Sequence, residues 1–182
     1  MDQNWKFDFQ NNPVKKACIH EAGHIIVAKA INCQVLSTKV LENGDGATEI
    51  HYGDLNPMVK ALSNHNNELV CMYSRQNEFS YAVNKYILIL LAGHIAEFLY
   101  EKNFQSSELE SVIFEGKDSA DIKYISDIYG LDSIQSSSCG TSAILHENKQ
   151  LLENIALKIY EKQCLSIDEI QILTNDVVNP LK

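Results

Sequence analysis

The stretch Asn12-Pro13-Val14-Lys15-Lys16-Ala17-Cys18-Ile19-His20-Glu21-Ala22-Gly23-His24-Ile25-Ile26-Val27-Ala28-Lys29-Ala30-Ile31 carries the strongest structural signal in the chain. Asn12 can accept a hydrogen bond as a helix cap, and Pro13 suits the first helical position, where no backbone donor is needed. Ala17, His20, His24, Val27, Ala28 and Ile31 then recur at helical spacing, so a helix to about Ile31 carries two histidines in its apolar stripe. The run His20-Glu21-Ala22-Gly23-His24 is an H-E-x-x-H motif.

Downstream, Val35 to Leu41 and Ala47 to Tyr52 read as two strands. Between them Asn43-Gly44-Asp45-Gly46 supplies residues that tolerate positive φ, which predicts a β-hairpin. From Asn56 to Phe79 the chain reads as a short helix and loops. A long apolar helix follows over about Tyr81 to Lys102, and Phe104 to Lys117 reads as a loop with a short strand at Val112 to Phe114. Asp118 is then placed to cap a helix over Ser119 to Tyr129. Gly130 to Gly140 is serine-rich, and residues 130–142 are expected to form a mobile loop. Helices over Ala143 to Gln163 and Ile167 to Thr174 close the chain, the second with Ser166 and Glu169 in capping-box positions. The expected fold is one domain over residues 1–182, mainly α with a small β-sheet (α+β), with residues 1–12 as an N-terminal extension. Neither a repeat nor a linker divides it.

The motif spacing has a chemical reason. Residues i and i+4 of a helix stand one above the other, so two imidazoles can converge on one tetrahedral zinc ion. Glu21 adjoins the first of them without joining the ligand set, where a carboxylate can take a proton from water acidified by the ion. Three fixed residues recur by chance in about 1% of chains this long, so context matters. Here the motif lies on a capped helix with both histidines facing inward. The plain alternative, two core histidines and a surface glutamate, would leave imidazoles buried without partners. A third protein ligand is required. The extended H-E-x-x-H-x-x-G-x-x-H form needs Gly and His where Val27 and Ala30 stand, which excludes that source. Glu97, Asp118 and Asp121 remain as candidates, the two aspartates also being suited to a helix N-terminus.

Composition narrows the function classes. A formal net charge of −9 over 182 residues disfavours nucleic acid or anionic membrane as main partner. Met1 to Phe9 has no apolar core of a signal peptide, and Tyr86 to Ala92 is far shorter than the ~20 residues of a spanning helix. A cytoplasmic location without membrane insertion is the expectation. Cys18, Cys33, Cys71, Cys139 and Cys164 form no C-x-x-C pair and are expected as reduced thiols, mostly in the core. His51, His65 and His146 read as strand-edge, surface and helix-terminal residues. His94 should lie nearer the motif.

Four segments in order resemble the peptidase domain of FtsH-type AAA+ zinc proteases. They are His20-Glu21-Ala22-Gly23-His24 with its continuation Ile25 to Ala28, and Leu90 to Glu97, which resembles an L-x-G-R-x-A-E helix. The others are Gly116 to Ile125, which resembles G-A-x-x-D-L-x-x-A-T, and Leu151 to Leu173, where Leu165 and Glu169-Ile170 match T-L-x-x-x-E-I. The resemblance implies a zincin-like helical metallopeptidase domain with one β-hairpin. It implies Zn²⁺ held by His20, His24 and Asp121, Glu21 as catalytic base, and Glu97 as a supporting residue rather than a ligand. Asp118 as a cap would have its carboxylate occupied by backbone N–H groups, which also favours Asp121. The departures are a Gly116-to-Asp121 spacing one residue longer than usual, His94 for an arginine, and Phe98 for a second glutamate. The chain also has no G-x-x-x-x-G-K-[ST] loop and no expected transmembrane segment.

The leading expectation is therefore an ATP-independent zinc endopeptidase acting on flexible or unfolded polypeptide. Ala47 to Tyr52 is the candidate edge strand for an extended substrate. The alternatives are a non-enzymatic protein-binding module on a zincin scaffold and a peptidase subunit working with a separate ATPase. Intact Glu21 argues against the first, since a structural site does not need it. The rings of the resembled family raise the expectation of a homo-oligomer.

Overall fold

The computed structural model describes residues 9, 11–104 and 116–181. The fold is mainly helical, with one three-stranded antiparallel sheet. The expected strand at Val112 to Phe114 lies outside the described residues. So does most of the expected 1–12 extension, although Phe9 is buried with its ring edge-on to Tyr100, centroids 4.8 Å apart.

Helix α1 (Pro13–Ala30) starts as its sequence requires, with Asn12 Oδ1 accepting from the Lys15 amide at 3.1 Å. It is buried on nearly every side rather than along one stripe, with Cys18, Ile19, Ala22 and Ile25 to Ala28 fully enclosed. Around it pack the hairpin β1 (Gln34–Val40) and β2 (Gly46–His51), together with later helices. In the hairpin turn Gly44 has φ +88°, a left-handed value that glycine adopts without cost. A Cβ there would meet Pro13, so the turn sits directly on the start of α1.

A 3-10 turn (Gly53–Leu55) leads to the short helices α2 (Asn56–Ser63) and α3 (Asn67–Tyr73). Helix α4 (Phe79–Glu101) is the longest among the described residues. By length and composition alone it could cross a membrane, against the expectation from Tyr86 to Ala92, and 78% of its apolar window is buried inside this fold. It crosses α1 closely because small residues meet there. A Cβ on Gly23 would lie 2.6 Å from the Ala92 carbonyl oxygen and 2.7 Å from the Ala96 Cβ. Close packing of this kind is felt at the level of single methyl groups.

Helix α5 (Gly116–Tyr129) begins before Ser119, so Asp118 lies inside its first turn rather than capping it. The expected mobile loop at 130–142 is instead most of a helix, α6 (Leu131–Glu147). Serine costs a helix little, so a serine-rich run can be helical once tertiary contacts favour it. The fully buried Thr141 donates its hydroxyl to the Leu88 carbonyl at 3.2 Å, and Gly140 lies against Leu88. The final long helix is α7 (Lys149–Lys162), separated from α6 at Asn148. The Asn148 side-chain amide donates to the Ile144 and Val178 carbonyls, at 2.7 and 2.8 Å, while its oxygen accepts from the Val178 amide.

Strand β3 (Cys164–Ser166) pairs with β1, giving the order β2-β1-β3 with β2 at an edge. Helix α8 (Ile167–Leu173) carries the expected capping box of Ser166 and Glu169. All five cysteines are free, but only Cys18 and Cys33 are buried; Cys71, Cys139 and Cys164 are exposed rather than core residues.

Candidate metal centre

The two motif histidines leave α1 towards one cleft, and each is aimed by a bond at its far nitrogen. His20 Nδ1 lies 2.6 Å from Glu97 Oε1 on α4, and His24 Nδ1 lies 2.8 Å from the Ile89 carbonyl oxygen. A carbonyl oxygen only accepts, so His24 Nδ1 carries a proton and Nε2 is the nitrogen directed into the cleft. Glu97 likewise accepts from His20 Nδ1, which directs Nε2 into the same cleft. Glu97 also receives Lys16 Nζ at 3.1 Å. Burial raises the Glu97 pKa, but the His20 bond and the neighbouring charges outweigh it and hold the group ionised.

Both Nε2 atoms point at one carboxylate oxygen. Asp118 Oδ2 lies 3.3 Å from His20 Nε2 and 3.2 Å from His24 Nε2. These three donors are mutually within 4.8 Å, and all three side chains are largely shielded from solvent. Burial opposes a charge on His20, yet the Asp118 and Glu97 bonds outweigh it and raise its pKa to about 10. Asp118 shows the mirror effect: desolvation is overcome by His20 and His24, and its pKa falls far below the usual carboxylate range. The two shifts are reciprocal: Asp118 is held ionised and His20 is drawn towards its cationic form.

Asp121 is one turn further along α5 and does not reach the pair. It is buried, with Oδ2 accepting from the Tyr86 hydroxyl at 2.6 Å and Oδ1 lying 2.8 Å from His65 Nε2. The carboxylate that the fold places beside His20 and His24 is therefore that of Asp118, and the expected Asp121 lies apart from them. The physical reason is the early start of α5. With the helix beginning at Gly116, the Asp118 carboxylate is not engaged as a cap, while Asp121 joins α5 to α4 and to the α2–α3 turn.

His65 is exposed, as expected of a surface residue, and it also stacks on Tyr124, centroids 4.2 Å apart. Tyr86 remains a firm donor, because burial first and Asp121 second raise its pKa. The sequence did hold a signal for Tyr86: with Leu90, Gly93 and Glu97 it recurs along one face of α4. His94 is buried beside His20, rings edge-on at 4.9 Å, and burial followed by the His20 charge lowers its pKa. It also forms a second close set with His20 and Glu97. Gly93 makes room for the His20 ring, since a Cβ there would fall 2.2 Å from Nε2.

Glu21 is buried at the same cleft, on the side of the hairpin. Its Oε2 accepts from the Thr48 hydroxyl at 2.6 Å. Edge strand β2 and its continuation line the cleft through Gly46, Ala47, Thr48, Ile50 and Tyr52. The expected substrate strand therefore borders the expected base. Compared with known proteins, the chain matches no family model and no curated protein significantly.

Proposed function

We propose that the chain is a zinc-dependent endopeptidase of zincin-like type, with His20, His24 and Asp118 holding the ion and Glu21 as general base. The observation that carries this reading is the convergence of two imidazole Nε2 atoms on the Asp118 carboxylate, with both Nδ1 atoms already engaged. Two nitrogens and a carboxylate oxygen are a fitting set for zinc, and the Glu97–His20 bond is the outer support that metal-ligating histidines usually have. The resemblance to the FtsH-type peptidase domain accords with His20, Glu21 and His24, and on this reading its aspartate corresponds in role to Asp118.

Zinc bound there would supply Lewis acidity, acidifying water and polarising a peptide carbonyl. The remaining work belongs to the chain. Glu21 takes a proton from water and delivers it to the leaving amine. Glu97 and the Ile89 carbonyl hold the two imidazoles in register. An extended peptide adds to the outer edge of β2 through main-chain hydrogen bonds, which favours flexible or unfolded polypeptide as substrate. The intact Glu21 at the cleft favours an enzyme over a binding module. Dependence on a separate ATPase is read from the same assay with and without candidate partners.

The test is cleavage of casein and of a fluorogenic peptide, with zinc measured by elemental analysis. About one zinc per chain, chelator-sensitive cleavage and loss of cleavage in Glu21→Gln are expected. A zinc-replete chain that cleaves neither substrate would sink the peptidase reading.

A further inference from the structure

Glu21 sits on a helix, but both of its carboxylate oxygens face a strand. Oε2 accepts from Thr48 on β2 at 2.6 Å. Oε1 lies where a Cβ on Gly46 would be 2.4 Å away, so the strand approaches the carboxylate as closely as glycine permits. Behind Thr48 stands Thr38 on β1, its hydroxyl oxygen 2.8 Å from that of Thr48 and its side chain 1% exposed. Thr38 and Thr48 are direct cross-strand partners. A register irregularity between Val35 and Ser37 lets Val35, Thr38 and Val40 all be buried, although Val35 and Thr38 are three residues apart. Thr48 donates its proton to Glu21 Oε2, which leaves its own oxygen to accept from the Thr38 hydroxyl.

We propose that Thr48, backed by Thr38, is the positioning residue for Glu21 and ties the base to the strand on which substrate lies. A glutamate reaches its target through three freely rotating bonds, and a general base works only when aimed. Thr38 backs that aim from β1, the central strand of the sheet. Because Thr48 belongs to the edge strand itself, a peptide paired along β2 is placed against the same element that sets the base. This rests on the peptidase reading for its consequence in catalysis, but not for the hydrogen bonds.

The experiment compares Thr48→Val, which keeps the shape and removes the hydroxyl, with Thr48→Ser, which keeps the hydroxyl. With the zinc-loaded full chain and a peptide substrate, Thr48→Val should lower kcat by about tenfold or more while KM stays within about twofold. Zinc content should be unchanged, and Thr48→Ser should recover most of the rate. In the metal-free protein, the side-chain carboxyl ¹³C resonance of Glu21, assigned by its loss in Glu21→Gln, should shift in Thr48→Val and stay in place in Thr48→Ser. A Thr48→Val rate equal to wild type, or an unmoved resonance, overturns the proposal. If wild type cleaves nothing, the peptidase reading falls, and the resonance still decides whether Thr48 holds Glu21. Should Thr48→Val fail to fold, Thr38→Val read by the same resonance replaces it.

Discussion

Helices α1 and α5 both deliver side chains to one cleft, but they do so with unequal security. The α1 side is enclosed, with His20 and His24 four residues apart and each held at its second nitrogen by α4. The α5 side offers one carboxylate from the helix's first turn, and Asp118 keeps more solvent exposure than either histidine. A group whose direction is over-determined by packing can be inferred from spacing alone. A group in a helix's first turn cannot, because moving the helix start by three residues changes which aspartate faces the cleft. Asp118 and Asp121 lie on the same side of α5, and their roles differ by one turn. One meets the histidines; the other is spent on Tyr86 and His65.

The inequality can be broken or sharpened by substitution. The largest effect belongs to Glu21→Gln on the α1 side, where hydrolysis should fall by ~10²-fold or more with zinc retained. Cleavage at the wild-type rate would remove Glu21 as base. Next stands Asp118→Asn, expected to weaken zinc binding by at least about 100-fold, beyond the usual scale for losing an outer-sphere partner. A competition titration against a chelator reads this, and unchanged affinity would return the third corner to another carboxylate.

Glu97→Ala should cost less, about 10–100-fold in zinc affinity, because His20 keeps its place on α1 but loses the acceptor that orients it. An affinity within twofold of wild type would show that packing against His94 suffices. The smallest effect is expected for Asp121→Asn. Zinc content should be kept, while weakened bonds to Tyr86 and His65 cost about 1–2 kcal/mol of stability in a denaturant titration. Loss of zinc without loss of stability in that variant would reverse the assignments of the two aspartates.

The segment after Tyr129 makes the same point in the core. Its serines and Gly140 resemble a loop in composition, yet α6 lies against α4, with Gly140 beside Leu88 and Thr141 bonding the Leu88 carbonyl. Composition records what a residue tolerates locally; whether a neighbouring helix packs against it is a fact about another part of the chain. Strand β3 is similarly illegible, since three residues are too few to reveal a period and gain their pairing from β1.

The sequence by itself determined the features that depend on local chemistry. These are the α1 start at Asn12-Pro13, the i, i+4 histidines with Glu21 between them, the hairpin around Gly44, the long apolar helix, and the Ser166 capping box. Each follows from side chains within a few residues of one another, where backbone geometry is nearly constant. Only the tertiary structure decided which aspartate stands beside the histidines, that His65 is bound to Asp121, and that Thr48 holds Glu21 from 27 residues away. Those outcomes rest on where α5 begins, on the β1–β2 register and on the irregularity before Ser37, all of them set by the packing of distant elements rather than by local preference.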